Sequence, residues 1–303
     1  MRRSLTVRLI AFAAALVVPS AVYAQSAADV ALLERGRALA LDDRCGLFSS
    51  PVRAALESGW LLARNGLQRG GWSAEMIAGL IAEASAQADS VGCESSAMVE
   101  VIARVEDGYA GWINLAAMTF VGDHRTWEAQ RPRGMEGWLV VQDISTTESG
   151  FAVFGLARRE DGSDRLAIAV SSALRPRAAR ARMRDVELAP ELIDPELRRL
   201  ASPTPSHPLA ALAAPDVFTT QVWAAERMEV EGDSPFSASD DASLALFWFP
   251  EDASTALSTL DAREAMSIDV EFASRSTEGA TARFYLEVGD FESARLFATT
   301  NAR

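Results

Sequence analysis

The segment RPRAARARMR is the densest chemistry in this sequence: Arg175, Arg177, Arg180, Arg182 and Arg184 fall within ten residues. A guanidinium is permanently charged and presents a planar fork of donors that fits a carboxylate or a phosphate bidentately. The cluster is therefore a candidate anion-binding site for an anionic envelope component or an acidic partner protein. The competing reading is a solvated segment whose charge pairs with the chain's own carboxylates.

Cys45 and Cys93 are the two cysteines and His124 and His207 the two histidines. A thiol can be a ligand, a nucleophile or half of a bridge. A nucleophilic thiol needs a basic partner, and both histidines fall elsewhere in the sequence. A zinc site takes about four ligands, which these spacings do not resemble. His124, between Asp123 and Arg125, suits acid–base work only if it lines a cleft. A loop histidine in water is the simpler reading, more so for His207 between Ser206 and Pro208. The chain has no Gly-rich phosphate loop, no Gly-x-Ser-x-Gly elbow and no HExxH, so no cofactor or metal is implied and no catalytic residue is assigned.

The segment MRRSLTVRLIAFAAALVVPSAVYAQS puts Arg2, Arg3 and Arg8 ahead of an apolar run from Leu9 to Val18, then Pro19 and small side chains. That is the pattern of a secretory signal peptide over residues 1–24, cleaved after Ala24, and the run is too short to span a bilayer. The mature chain has no other segment of membrane length, so the expected location is the periplasm or beyond it. Of 29 basic residues three belong to the signal segment, which leaves 26 against 42 acidic ones, and none is lysine. A surface this acidic repels nucleic acid and anionic lipid as general partners.

The remaining length suggests two domains, a helical bundle over 25–121 and a β-rich unit over 138–303, joined by a connection over 122–137. Helical spacing marks segments 27–42, 50–67, 73–91 and 94–120. Ile77, Ile81, Ala84, Ala88 and Val91 form one stripe, and Met98, Ile102, Val105, Tyr109, Trp112 and Ala116 another. Four amphipathic helices with short connections predict an antiparallel bundle. Its first and third connections share one end, which brings Cys45 to Cys93, and an oxidising compartment then makes the pair a disulfide.

After the turn-rich VGDHRTWEAQRPRGMEG the period changes to two. GWLVVQDI, GFAVFGLAR and RLAIAVSS predict an antiparallel meander. SPTPSHPLAALAAP reads as a long surface loop. TTQVWAAERMEVE, SLALFWF, MSIDVEFAS and ATARFYLEV read as strands, with DASTALSTLDAREA and DFESARLFATT as helices. The fold class is α+β. FPEDASTAL and VGDFESARL echo each other as strand, turn and helix. Trp112, Phe120, Trp127 and Trp138 span the junction of the halves, where packing explains them most simply.

The order of elements over 137–300, from the Trp138 strand to DAREAMSIDVEF and RFYLEVGDFESARLF, resembles the bacterial invasion-associated locus B family. The resemblance implies a secreted envelope protein without a defined catalytic site. The sequence thus predicts an exported, noncatalytic binding or interaction protein. The alternative is an envelope hydrolase using carboxylates or His124 in a cleft between the domains.

Overall fold

The computed structural model describes residues 27–132, 136–146, 150–201, 207–230, 236, 244–273 and 280–301. The expected signal segment and residues 202–206 of the proline-rich stretch lie outside them. Four helices come first: α1 (Ala27–Cys45), α2 (Ser50–Arg69), α3 (Ala74–Asp89) and α4 (Ser96–Ile113). Their ends follow from local chemistry. The Ser73 side chain accepts from the Met76 amide at 3.3 Å to cap α3, as a short oxygen-bearing side chain does at a helix start. Gly46, at φ 63°, turns the chain out of α1 where a side chain would be strained. The Asp42 carboxylate then accepts the Leu47 and Phe48 amides at 2.7 and 2.8 Å, fixing the approach to α2.

The fourth helix is shorter than its spacing predicts. It stops at Ile113, and Ala117–Val121 form β1, which pairs antiparallel with β2 (Thr126–Gln130). Residues expected to connect two domains are therefore part of a sheet. The β-branched and aromatic residues Thr119, Phe120 and Val121 favour that outcome, because they pack well on a pleated surface. Ala116, placed by its spacing on the α4 stripe, lies beyond the helix.

The β-rich part holds two antiparallel sheets. In the seven-stranded sheet the order is β1-β2-β3-β4-β5-β9-β8, with β3 (Gly137–Asp143), β4 (Phe151–Arg158), β5 (Asp164–Ser171), β8 (Glu226–Val230) and β9 (Leu244–Trp248). The four-stranded sheet runs β11-β10-β6-β7, with β6 (Pro176–Arg184), β7 (Thr219–Trp223), β10 (Ala265–Phe272) and β11 (Ala280–Glu287). The predicted meander is β3-β4-β5. The segment TTQVWAAERMEVE, expected as one strand, divides between the sheets at two adjacent alanines: the Ala224 amide bonds Ala179 of β6, and the Ala225 amide bonds Trp248 of β9.

One core fills the space between the sheets. Phe154 and Ile168 face Ile268, Val270 and Phe284, and helices α6 (Ala253–Ser258) and α7 (Phe291–Thr299) close it with Leu257, Phe291 and Phe297. The echoed sequences thus form two copies of one device, a strand followed by a helix that closes this core. A short helix α5 (Pro195–Ala201) lies in the long excursion between β6 and β7. Trp138 is not at the junction of the halves; it meets Phe236 edge-on at 5.7 Å, on the other face of the large sheet.

The helices pack onto this body through α7. The Ser58 hydroxyl donates to the Ser293 carbonyl at 3.0 Å, and Asn65 and Arg69 donate to Asp290 at 2.9 and 3.0 Å. Asp290 is buried, so its charge needs these donors. Arg131 lies over both Trp112 and Phe297, tying the end of α4 to the same helix.

Candidate functional site

The arginine segment is a strand. It is β6, and its alternation sends Ala179, Ala181 and Met183 into the core and Arg180, Arg182 and Arg184 to the opposite face. Asp269, in the middle of β10, stands directly across from Arg180 on one side and Arg283 on the other. Its carboxylate accepts from Arg180 and Arg182 at 2.8 Å each and from Arg283 at 2.6 Å. Burial alone would raise the Asp269 pKa, but the hydrogen bonds from Arg283, Arg182 and Arg180 outweigh it and hold the group down to about 2.

Arg184 makes a bidentate pair with Glu264, at 2.9 and 2.7 Å, with both side chains buried. At the exposed end Arg175 pairs with Glu229 at 3.2 Å. Arg177 is exposed and, among the described residues, is the one member of the five without an ion pair. The forks therefore grip this chain's own carboxylates. Four of the five arginines are thus engaged within the chain, and Arg177 stands exposed at the outer end of the strand.

The two cysteines form the Cys45–Cys93 disulfide, joining the end of α1 to the α3–α4 connection with Cα atoms 5.8 Å apart. His124 is exposed in the β1–β2 turn, where its backbone amide and those of Asp123 and Arg125 donate to Glu287 at 2.7–2.8 Å. His207 stacks on Tyr285 at 5.5 Å, and its Nδ1 accepts from the Leu209 amide at 3.1 Å. Burial, then the charges of Arg125 and His124, lower the His207 pKa. The fold so brings the two histidines into one neighbourhood. Among the described residues no cluster of His, Cys, Asp and Glu has the arrangement of a metal site.

The concave site lies elsewhere, within the helices. α1, α2 and α3 bury Leu32, Ala63, Leu67 and Ile77 together, while α4 buries only Met98. The ends of α4 are held, by Met98 and the disulfide on one side and by Trp112 against Phe297, at 5.4 Å, on the other. Between these anchors α4 stands off from α1 and α2 and leaves a cavity of about 420 Å³. From α4 it is lined by Val101, Val105 and Tyr109, from α2 by Val52, Ala55, Leu56 and Leu62, and from α1 by Leu33 and Ala38. Its charged lining is Glu34, Arg35, Arg37 and Arg104. This is the size and character of a small-molecule site, an apolar hollow with a few placed polar groups.

The α4 stripe read from the sequence has the right face, but it divides: Met98 and Ile102 pack into a core, whereas Val105 and Tyr109 line the hollow. Gly108 carries the missed signal. A helix-interior glycine costs about 1 kcal/mol against alanine and so asks for a reason; Gly108 lies on the cavity wall with no atom within 4 Å of a Cβ built there.

No protein-family model, curated protein or solved structure matches this chain.

Proposed function

We propose that this chain is an exported, noncatalytic binding protein of the bacterial envelope, and that the hollow between α1, α2 and α4 is where it binds. The observation that carries the reading is the cavity itself: an amphipathic helix pinned at both ends presents its apolar face to empty space. Water in an apolar hollow is poorly hydrogen-bonded, so an apolar occupant gains by displacing it.

Export is supported by the disulfide, which belongs to oxidising compartments, and by the N-terminal signal pattern. Among the described residues no helix is long and apolar enough to cross a membrane. The resemblance of residues 137–300 to the invasion-associated locus B family supports the same noncatalytic envelope role. Against the hydrolase reading, the buried carboxylates at the centre of the fold are each engaged by donors: Asp269 and Glu264 by arginines, Glu287 by three amides, and Asp290 by Asn65 and Arg69.

The test is to isolate the protein from periplasm and analyse what organic solvent extracts from it. The native form is expected to begin at Gln25 and to yield a small apolar molecule that the Gly108→Leu variant, with its cavity filled, does not. Identical extracts from both proteins count against the site, and an N-terminus at Met1 counts against export.

A further inference from the structure

Arg37 is the charge in the cavity that the fold does not explain. Its Nε is buried from solvent without a hydrogen-bond partner, and among the described residues Arg37 forms no ion pair. Its neighbours are engaged. Arg35 donates to the Gly59 carbonyl at 2.8 Å, and burial lowers its pKa against the opposing effect of Glu34. Arg104 shares Glu34 at 3.5 Å on the exposed rim. Three guanidinium groups and one carboxylate thus line the hollow, in a chain whose formal net charge is −13.

Apolar walls with surplus positive charge are complementary to an apolar tail carrying one anionic head. From this complementarity, and resting on the reading of the cavity as the binding site, we infer that the ligand is a single-chain amphiphile with a carboxylate head, the chemistry of a free fatty acid. The head is bound at Arg37, whose two Nη groups make no hydrogen bond or ion pair among the described residues and offer the paired donors a carboxylate matches. The tail lies along Leu56, Val101 and Val105. A hollow of about 420 Å³ has room for one acyl chain. Arg37 is then a group whose partner arrives with the ligand, which accounts for a half-buried charge left unpaired in the protein alone.

The experiment is calorimetric titration of the full mature chain with laurate and with dodecanol, which share a tail and differ in the head. Laurate is expected to bind, and dodecanol to bind about tenfold or more weakly, the worth of a charge-assisted hydrogen bond. Arg37→Gln is expected to bring laurate down to the level of the alcohol and to leave the alcohol unchanged. Gly108→Leu is expected to abolish both. Because Arg37 has no protein partner, Arg37→Gln and Arg37→Met are expected to melt no earlier than the native protein, which separates loss of binding from loss of fold. Equal binding of the two ligands, or no effect of Arg37→Gln, overturns the carboxylate inference and leaves an apolar site standing. Binding of neither ligand, or binding that Gly108→Leu does not touch, overturns the cavity reading beneath it.

Discussion

Gly122 and Glu287 are fitted to one another: a Cβ built on Gly122 would lie 2.6 Å from the Glu287 carboxylate. The carboxylate occupies that place because the next three amides of the β1–β2 turn donate to it. It is the end of a side chain and can swing away, but only by leaving those donors and its own buried charge unsatisfied. Gly122→Ala is therefore expected to cost about 3 kcal/mol, read as an earlier midpoint in urea. A loss below about 1 kcal/mol, the net worth of one ordinary hydrogen bond, would contradict the fit.

Asp269 sets an acid limit on stability. Its pKa is about 2 in the folded protein, below the ordinary value of about 3.9. A depressed carboxylate contributes stability that is fully present above the unfolded pKa and is lost as pH falls through the folded one. The contribution, on the order of 2 kcal/mol, should fade between about pH 4 and pH 2. Asp269→Asn is expected to be destabilised at neutral pH and to show a flatter acid limb. Parallel acid limbs for the two proteins would contradict the assignment.

The arginines of β6 predict a stability phenotype in place of a binding one. Replacing Arg180, Arg182 and Arg184 with Gln leaves Asp269 with Arg283 alone and strips Glu264 of its arginine, and breaking a buried pair of the latter kind costs about 3–5 kcal/mol. The variant is expected to melt well below the native protein and to be retained on anionic vesicles no less than before. Native-like melting with weakened retention would restore the foreign-anion reading.

The disulfide closes a loop of 48 residues, and in the chain-entropy model its removal costs about 4 kcal/mol. Cys45→Ser with Cys93→Ser frees the start of α4, so amide exchange is expected to rise first around Met98 and not at Trp112, where Arg131 and Phe297 still hold the helix. Uniform loss of protection along α4 would contradict the two-anchor description.

What the sequence made legible was local. Three helices, the β3-β4-β5 meander and the α+β class follow from periodicity within short windows, and the disulfide follows from counting connections in a bundle. Non-local choices were hidden. RPRAARARMR has strand period, since its small apolar residues alternate with arginine over Ala179–Arg184, but the partner that makes it a strand, Asp269, is far away in sequence. The break between β7 and β8 falls at Ala224 and Ala225, where neither Gly nor Pro announces it. The hollow beside α4 was invisible because an apolar stripe looks the same whether it faces a core or a cavity; only Gly108 hinted otherwise.

The central claim is that the hollow between α1, α2 and α4 receives a ligand, and amide chemical-shift mapping of the mature protein during titration with laurate tests it most directly. The account predicts saturable shifts that cluster at Leu33, Arg37 and Ala38 on α1, Leu56 on α2 and Val101, Val105 and Gly108 on α4, with the β6 arginines unmoved. Shifts centred on β6, or no saturable shift along α4, would contradict it.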